Sequence, residues 1–144
     1  MARTTIDELL ADARSGLARL DPDGASAAVR SGAKLIDIRT DSQIARDGTI
    51  AGALVISRDV LEWRMDPASR YAHPDAPGLR DVILICDEGY QSSLAAATLQ
   101  LLGFARATDL DGGFQAWRAA GLPVHGPAAS RRAIRPRTPA GTRA

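Results

Sequence analysis

Three short runs of mostly branched apolar residues punctuate this chain: Leu35-Ile36-Asp37-Ile38, Ala53-Leu54-Val55-Ile56 and Val82-Ile83-Leu84-Ile85. Each is too short for a helix and nearly unbroken in its apolar character, the pattern of a strand buried on both faces. The stretches between them are long enough for crossovers. Two of these, Asp41 to Arg46 and Leu94 to Leu102, read as helices, the second closed by Gly103. Apolar strands alternating with helices imply an α/β fold with a central, mostly parallel sheet covered by helices on both faces. In such a sheet a ligand sits beyond the carboxyl ends of the strands.

The remaining segments fill in around this frame. Ile6, Leu9, Leu10, Ala13 and Leu17 recur at helical spacing behind Thr4 or Thr5 as N-cap, with acids in the first turn. A short strand over Gly16 to Leu20 and a last one including Ala107 to Leu110 bring the sheet to about five strands. Asp21-Pro22-Asp23-Gly24 predicts a turn and Ala25 to Arg30 a short helix ending near Gly32. Residues 65 to 80, with Pro67, Pro74, Pro77 and Gly78, predict a long irregular connection. From Gly126 onward only Ile134 is large and apolar, so a disordered basic tail is expected. The expected organisation is a helical extension over 1–15, one domain over 16–125 and a tail over 126–144.

Composition narrows the setting. A chain of 144 residues holds one domain of ordinary size. A single cysteine excludes an intrachain disulfide and suits a reducing compartment, so a cytoplasmic address is expected. No apolar stretch of signal-peptide or membrane-spanning length occurs, and no membrane partner is expected. The net charge of +1 hides an asymmetry: five arginines and no acid follow residue 125, leaving thirteen basic against seventeen acidic residues in the rest. An acidic domain beside a short arginine-rich end is a poor nucleic-acid footprint, and nucleic acid is not the expected partner.

The chemistry centres on Val82 to Ala97, which reads as strand, loop and helix with Cys86 at the strand end. A cysteine there, followed by a glycine-containing loop and a helix start, faces converging backbone N–H groups that favour a thiolate or an anion bonded to it. Cys86 is therefore a candidate nucleophile. Taken alone, a single cysteine on an apolar strand reads better as a small buried hydrophobe. His73 and His125 fall in loops with no companion ligand at metal spacing, and Gly112-Gly113 reads as a tight turn before a helix.

Over about residues 16 to 124 the chain resembles the rhodanese family. Leu35-Ile36-Asp37-Ile38-Arg39 followed by Gly48-Thr49-Ile50-Ala51-Gly52-Ala53 is similar to that family's first signature. Cys86 to Gln91 is similar to its six-residue active loop. Asp111-Gly112-Gly113-Phe114-Gln115-Ala116-Trp117 with Gly121-Leu122-Pro123-Val124 is similar to its closing segment. The resemblance implies a single-domain sulfurtransferase in which Cys86 takes a sulfane sulfur from a donor, holds it as a persulfide and passes it to a thiol or another nucleophile. The loop Asp87, Glu88, Gly89, Tyr90, Gln91 and Ser92 would cradle it, and no cofactor or metal is implied. The implied partners are a small-molecule or protein sulfur donor and a thiol acceptor. Asp37 and Arg39 match positions that support the site, either as an ion-paired anchor or in direct substrate contact. Arg64 can approach the same mouth or lie on a solvated face.

Two departures bear on the activity. The first signature carries Thr49 where histidine is usual. The loop carries Asp87 and Glu88 and no basic residue, so a dianionic donor such as thiosulfate meets repulsion and is a doubtful physiological donor. A related branch of the fold, the cell-cycle dual-specificity phosphatases, ends a longer loop in arginine. Here Ser92 stands at that position, which argues against phosphate hydrolysis. The competing expectation is a non-catalytic binding or regulatory module of the same fold, with Cys86 inert.

Overall fold

The computed structural model describes residues 2–126. Helix α1 (Ile6–Ser15) starts at a capping box: the Glu8 amide donates to Thr5 Oγ1 at 3.1 Å and the Thr5 amide to Glu8 Oε1 at 2.8 Å. Helix α2 (Pro22–Arg30) follows, then strand β1 (Lys34–Asp37) and helix α3 (Asp41–Asp47), which Thr40 and Gln43 cap in the same reciprocal way. Strand β2 (Leu54–Val55) leads through a single 3-10 turn into the short helix α4 (Leu61–Met65). Strand β3 (Val82–Ile85), helix α5 (Gln91–Leu101), strand β4 (Thr108–Asp109) and helix α6 (Gly113–Ala119) complete the order.

The four strands form one parallel sheet in the order β2-β1-β3-β4. Side chains alternate across it and so build two cores. Ile36, Ile38, Val82, Leu84 and Cys86 pack with Leu61, Met65, Ala95, Ala96 and Leu99 of α4 and α5. Leu35, Ile83 and Ile85 pack on the other face with Ala25 of α2 and Phe114 and Trp117 of α6. Burial on both faces is why β3 is apolar at every position instead of at every second one.

Some expected details differ. The strand expected at Gly16 to Leu20 narrows to one parallel bridge, Leu20 to Leu110, at the β4 edge. Asp21 to Gly24 is no free turn: Asp21 caps α2 by accepting from the Gly24 amide at 2.7 Å, and Pro22 occupies the first helical position, where its missing N–H costs nothing. The 65–80 connection is mostly irregular, yet Ala76 within it is fully buried against α4 and α5. The expectation for the tail falls, apart from Gly126, outside the described residues. Among the described residues no helix is long and apolar enough to cross a membrane.

Candidate active site

Parallel pairing brings Asp37 of β1 level with Ile85 of β3, so Ile38-Arg39 and Cys86 leave the sheet side by side at its carboxyl edge. Cys86 is 2 % exposed, and the Gly89 amide donates to its Sγ at 3.2 Å. A pocket of about 270 Å³ opens here, lined by Gln43, Cys86, Asp87, Glu88, Tyr90 and Gln91. Gln91 also lines an adjoining cleft of about 530 Å³ that reaches Arg39, Ser57 and Trp63. Another cavity, about 490 Å³, opens at the opposite edge beside Val82 and Thr108, and no cysteine or histidine lines it.

The loop's peptide groups are sorted by their partners. The Phe114 amide donates to the Cys86 carbonyl at 2.8 Å, and the Gln115 amide to the Asp87 carbonyl at 3.1 Å. The Gly89 carbonyl accepts from Arg14 Nη2 at 2.8 Å and from Arg19 Nη2 at 2.9 Å. A trans peptide points its carbonyl and the following N–H in opposite directions. The Asp87, Glu88 and Tyr90 amides are thus turned away from those anchors, and they have no acceptor among the described residues. Of the loop amides only that of Gly89 donates to the sulfur, and those of Asp87, Glu88 and Tyr90 are left free to donate to negative charge.

Two glycines permit this close packing. Gly89 has φ +86°, and a Cβ on it would lie 2.7 Å from the Gly112 nitrogen. Gly113 has φ +63°, and its Cβ would lie 2.6 Å from the Cys86 carbonyl oxygen. The pair Gly112-Gly113, legible in the sequence as a turn, is also the surface on which the cysteine loop rests.

The supporting residues separate into two groups. Asp37 and Arg39, each 1 % exposed, form a buried ion pair with Arg39 Nη2 at 2.7 Å from Asp37 Oδ2 and Nε at 3.0 Å from Oδ1. Arg39 also donates to the Gly48 carbonyl at 2.8 Å and stacks 3.7 Å above the Phe114 ring. It therefore ties β1, the α3 exit and α6 together. Arg64 donates to the Tyr71 carbonyl at 2.9 Å and lines neither the cysteine pocket nor the cleft beside it.

The two loop acids differ. Asp87 accepts from Gln115 Nε2 at 2.9 Å and from Arg46 Nη2 at 3.2 Å, so its charge is met by a cation outside the loop. That same Arg46 guanidinium holds the neighbouring Asp47 carboxyl well below the usual carboxylate range; burial opposes the effect, and Gln115 and Arg118 add to it. Glu88 is exposed and has no ion-pair partner among the described residues. The pocket rim thus carries one unmatched carboxylate where the sequence suggested two.

Sequence reasoning missed the network beneath the loop. Asp109, 0 % exposed, accepts from Ser92 Oγ at 2.7 Å, Ser93 Oγ at 2.8 Å and Arg19 Nε at 2.8 Å. Burial works against the Arg19 charge, but Asp109 outweighs it, and with Asp111 and the nearby Cys86 raises the guanidinium above its ordinary value. One signal was available: an aspartate inside the strand expected to include Ala107 to Leu110 needs a buried partner.

Residues 21–120 match the family model of the Rhodanese-like domain. A protein from Allochromatium vinosum named sulfurtransferase is 37 % identical over 93 residues, covering 65 % of this chain and 78 % of its own. The thiosulfate sulfurtransferase GlpE of Pseudomonas fluorescens is 36 % identical over 100 residues, covering 69 % of this chain and 84 % of its own. A solved structure from Rhodopseudomonas palustris, of a protein of unknown function described as a possible tyrosine phosphatase, superposes with a TM-score of 0.78. It is 36 % identical and covers 86 % of this chain and 98 % of its own.

Proposed function

The chain belongs to the rhodanese-like domain family, and on that premise we propose that it is a sulfurtransferase whose Cys86 carries a sulfane sulfur between a donor and a thiol or other nucleophile. The Gly89 amide on Cys86 Sγ carries this reading, because an N–H aimed at sulfur is placed to donate to the negative charge that sulfur transfer develops there. In the first half-reaction the Cys86 thiolate attacks the outer sulfur of the donor. An S–S bond forms at Cys86, and the donor's own bond to that sulfur breaks, its electron pair leaving with the donor remnant. In the second, the acceptor attacks the terminal sulfur and the electron pair returns to Cys86 as thiolate.

The unpartnered amides of Asp87, Glu88 and Tyr90 are suited to hold the terminal sulfur, which bears negative charge as a persulfide anion. Because Glu88 stands unmatched on the rim, a neutral or monoanionic persulfide donor is favoured over dianionic thiosulfate. A reducing compartment such as the cytoplasm would keep the lone cysteine available. Phosphate hydrolysis is not favoured, since the segment from Cys86 to Ser92 supplies no guanidinium to clasp a phosphoryl group.

The test is mass spectrometry of the full chain after incubation with glutathione persulfide or thiosulfate. The expected result is a gain of one sulfur atom on the native chain and none on Cys86→Ser. A native chain that gains no sulfur from either donor, or a Cys86→Ser chain that gains as much, would overturn the proposal.

A further inference from the structure

The cysteine loop is held at its Gly89 carbonyl by two residues that precede residue 21, where the family match begins. Arg14 lies in the last turn of α1 and Arg19 in the segment leading to α2, and both donate to the Gly89 carbonyl. Neither swings freely. Arg14 Nε also donates to Ser93 Oγ at 3.0 Å. Arg19 is held by Asp109 through Nε and Nη2 and by Asp111 Oδ1 through Nη1 at 3.0 Å. Buried Asp109 binds the hydroxyls of Ser92 and Ser93 as well, so a single carboxylate sets both the guanidinium and the start of α5.

Gly89 makes such a device necessary. At its positive φ the backbone has glycine's freedom, and the peptide joining Gly89 to Tyr90 can rotate unless something fixes it. With the Gly89 carbonyl held toward the arginines, the Tyr90 N–H points the other way, and Tyr90 lines the pocket with Cys86. A carbonyl polarised by two cations also makes its own peptide N–H a stronger donor. We infer, resting on the persulfide reading above, that Arg14 and Arg19 are positioning residues: by clamping the Gly89 carbonyl they aim the Tyr90 N–H at the sulfur on Cys86, adding a donor to the Gly89 N–H. On this inference the helix ahead of the family domain belongs to the active site.

The experiment uses the full chain labelled with ¹⁵N, in native form and as Arg14→Gln, Arg19→Lys and the double variant. Lysine at 19 keeps a cation opposite Asp109 but cannot reach Asp109 and Gly89 together. Each sample is titrated through ionisation of the thiol, with Cys86→Ser as the blank. The blank removes the responses of other groups near the loop, Asp87, Glu88, Asp109 and Asp111 among them.

In the native chain the Gly89 and Tyr90 amide protons should both move downfield as the thiolate forms. In the double variant the Gly89 response should persist and that of Tyr90 be lost, and sulfur uptake should slow by about tenfold to a hundredfold. Should the double variant not fold, Arg14→Gln alone, which changes a partly exposed residue, should still at least halve the Tyr90 response. A Tyr90 response undiminished in the variants, or absent from the native chain, would overturn the clamp. A native chain that shows the Tyr90 response but takes up no sulfur would overturn the functional reading and leave the clamp standing.

Discussion

Two arginine–aspartate pairs flank β3, one wholly buried and one whose arginine is partly exposed, and they are built in opposite ways. Asp37 and Arg39 are two residues apart and close on themselves at the end of β1, with Phe114 stacked on the guanidinium. Arg19 and Asp109 are ninety residues apart, and Arg19 passes its remaining donors outward to Gly89 and Asp111. The local pair fastens elements to one another. The distant pair reaches the cysteine loop itself, so the two should separate under mutation into a stability effect and an effect on the site.

The largest effect is expected from Arg39→Ala, which leaves Asp37 buried without its partner and empties the space over Phe114. Urea denaturation should show a loss of about 3–5 kcal/mol. Arg19→Met should cost less, about 1–3 kcal/mol, because the Ser92 and Ser93 hydroxyls still serve Asp109. A larger loss at Arg19 than at Arg39 would break the comparison.

The same contrast between matched and unmatched charge divides the loop acids. Glu88→Gln should raise the rate with thiosulfate about threefold to fivefold at low salt, the scale of one close charge pair in water. The gain should shrink as salt rises. Asp87→Asn should change the rate little, since Arg46 and Gln115 already hold that carboxylate. Steady-state kinetics of the two variants at two ionic strengths decides between them, and equal gains would mean that Arg46 does not shield Asp87.

The smallest effect is expected at Asp47, paired locally with Arg46 and remotely with Arg118. Its carboxyl is lowered in the folded chain, so the unfolded chain binds the proton more readily, and the stability it contributes is present above the ordinary carboxylate range. That contribution is lost as pH falls below about 4 toward the folded value. Asp47→Asn should cost about 1 kcal/mol at neutral pH, and the difference from the native chain should shrink on acidification, measured as melting temperature against pH.

What the sequence revealed follows the same division between near and far. The strands at Leu35 and Val82, the Thr5 cap of α1 and the placing of Cys86 before a glycine loop are contiguous patterns, and short-range physics settles them. Arg14 and Arg19 have no such pattern, because a long arginine on a helix or loop looks solvated until Asp109 and Gly89 are folded beside it. Asp87 looked like a second charge repelling a dianionic donor because Arg46 is remote in sequence. The glycine pair at 112 and 113 showed its turn, but its contact with the Cys86 carbonyl depends on tertiary packing.

The central claim, that Cys86 carries a transferable sulfur, is tested most directly by single turnover. Native chain loaded from a donor labelled in its outer sulfur is separated from that donor and mixed with a thiol acceptor. One labelled sulfur per chain should move to the acceptor, and Cys86 should return to a free thiol able to be loaded again. Label that stays on the protein in the presence of excess thiol, or that never loads, would contradict it.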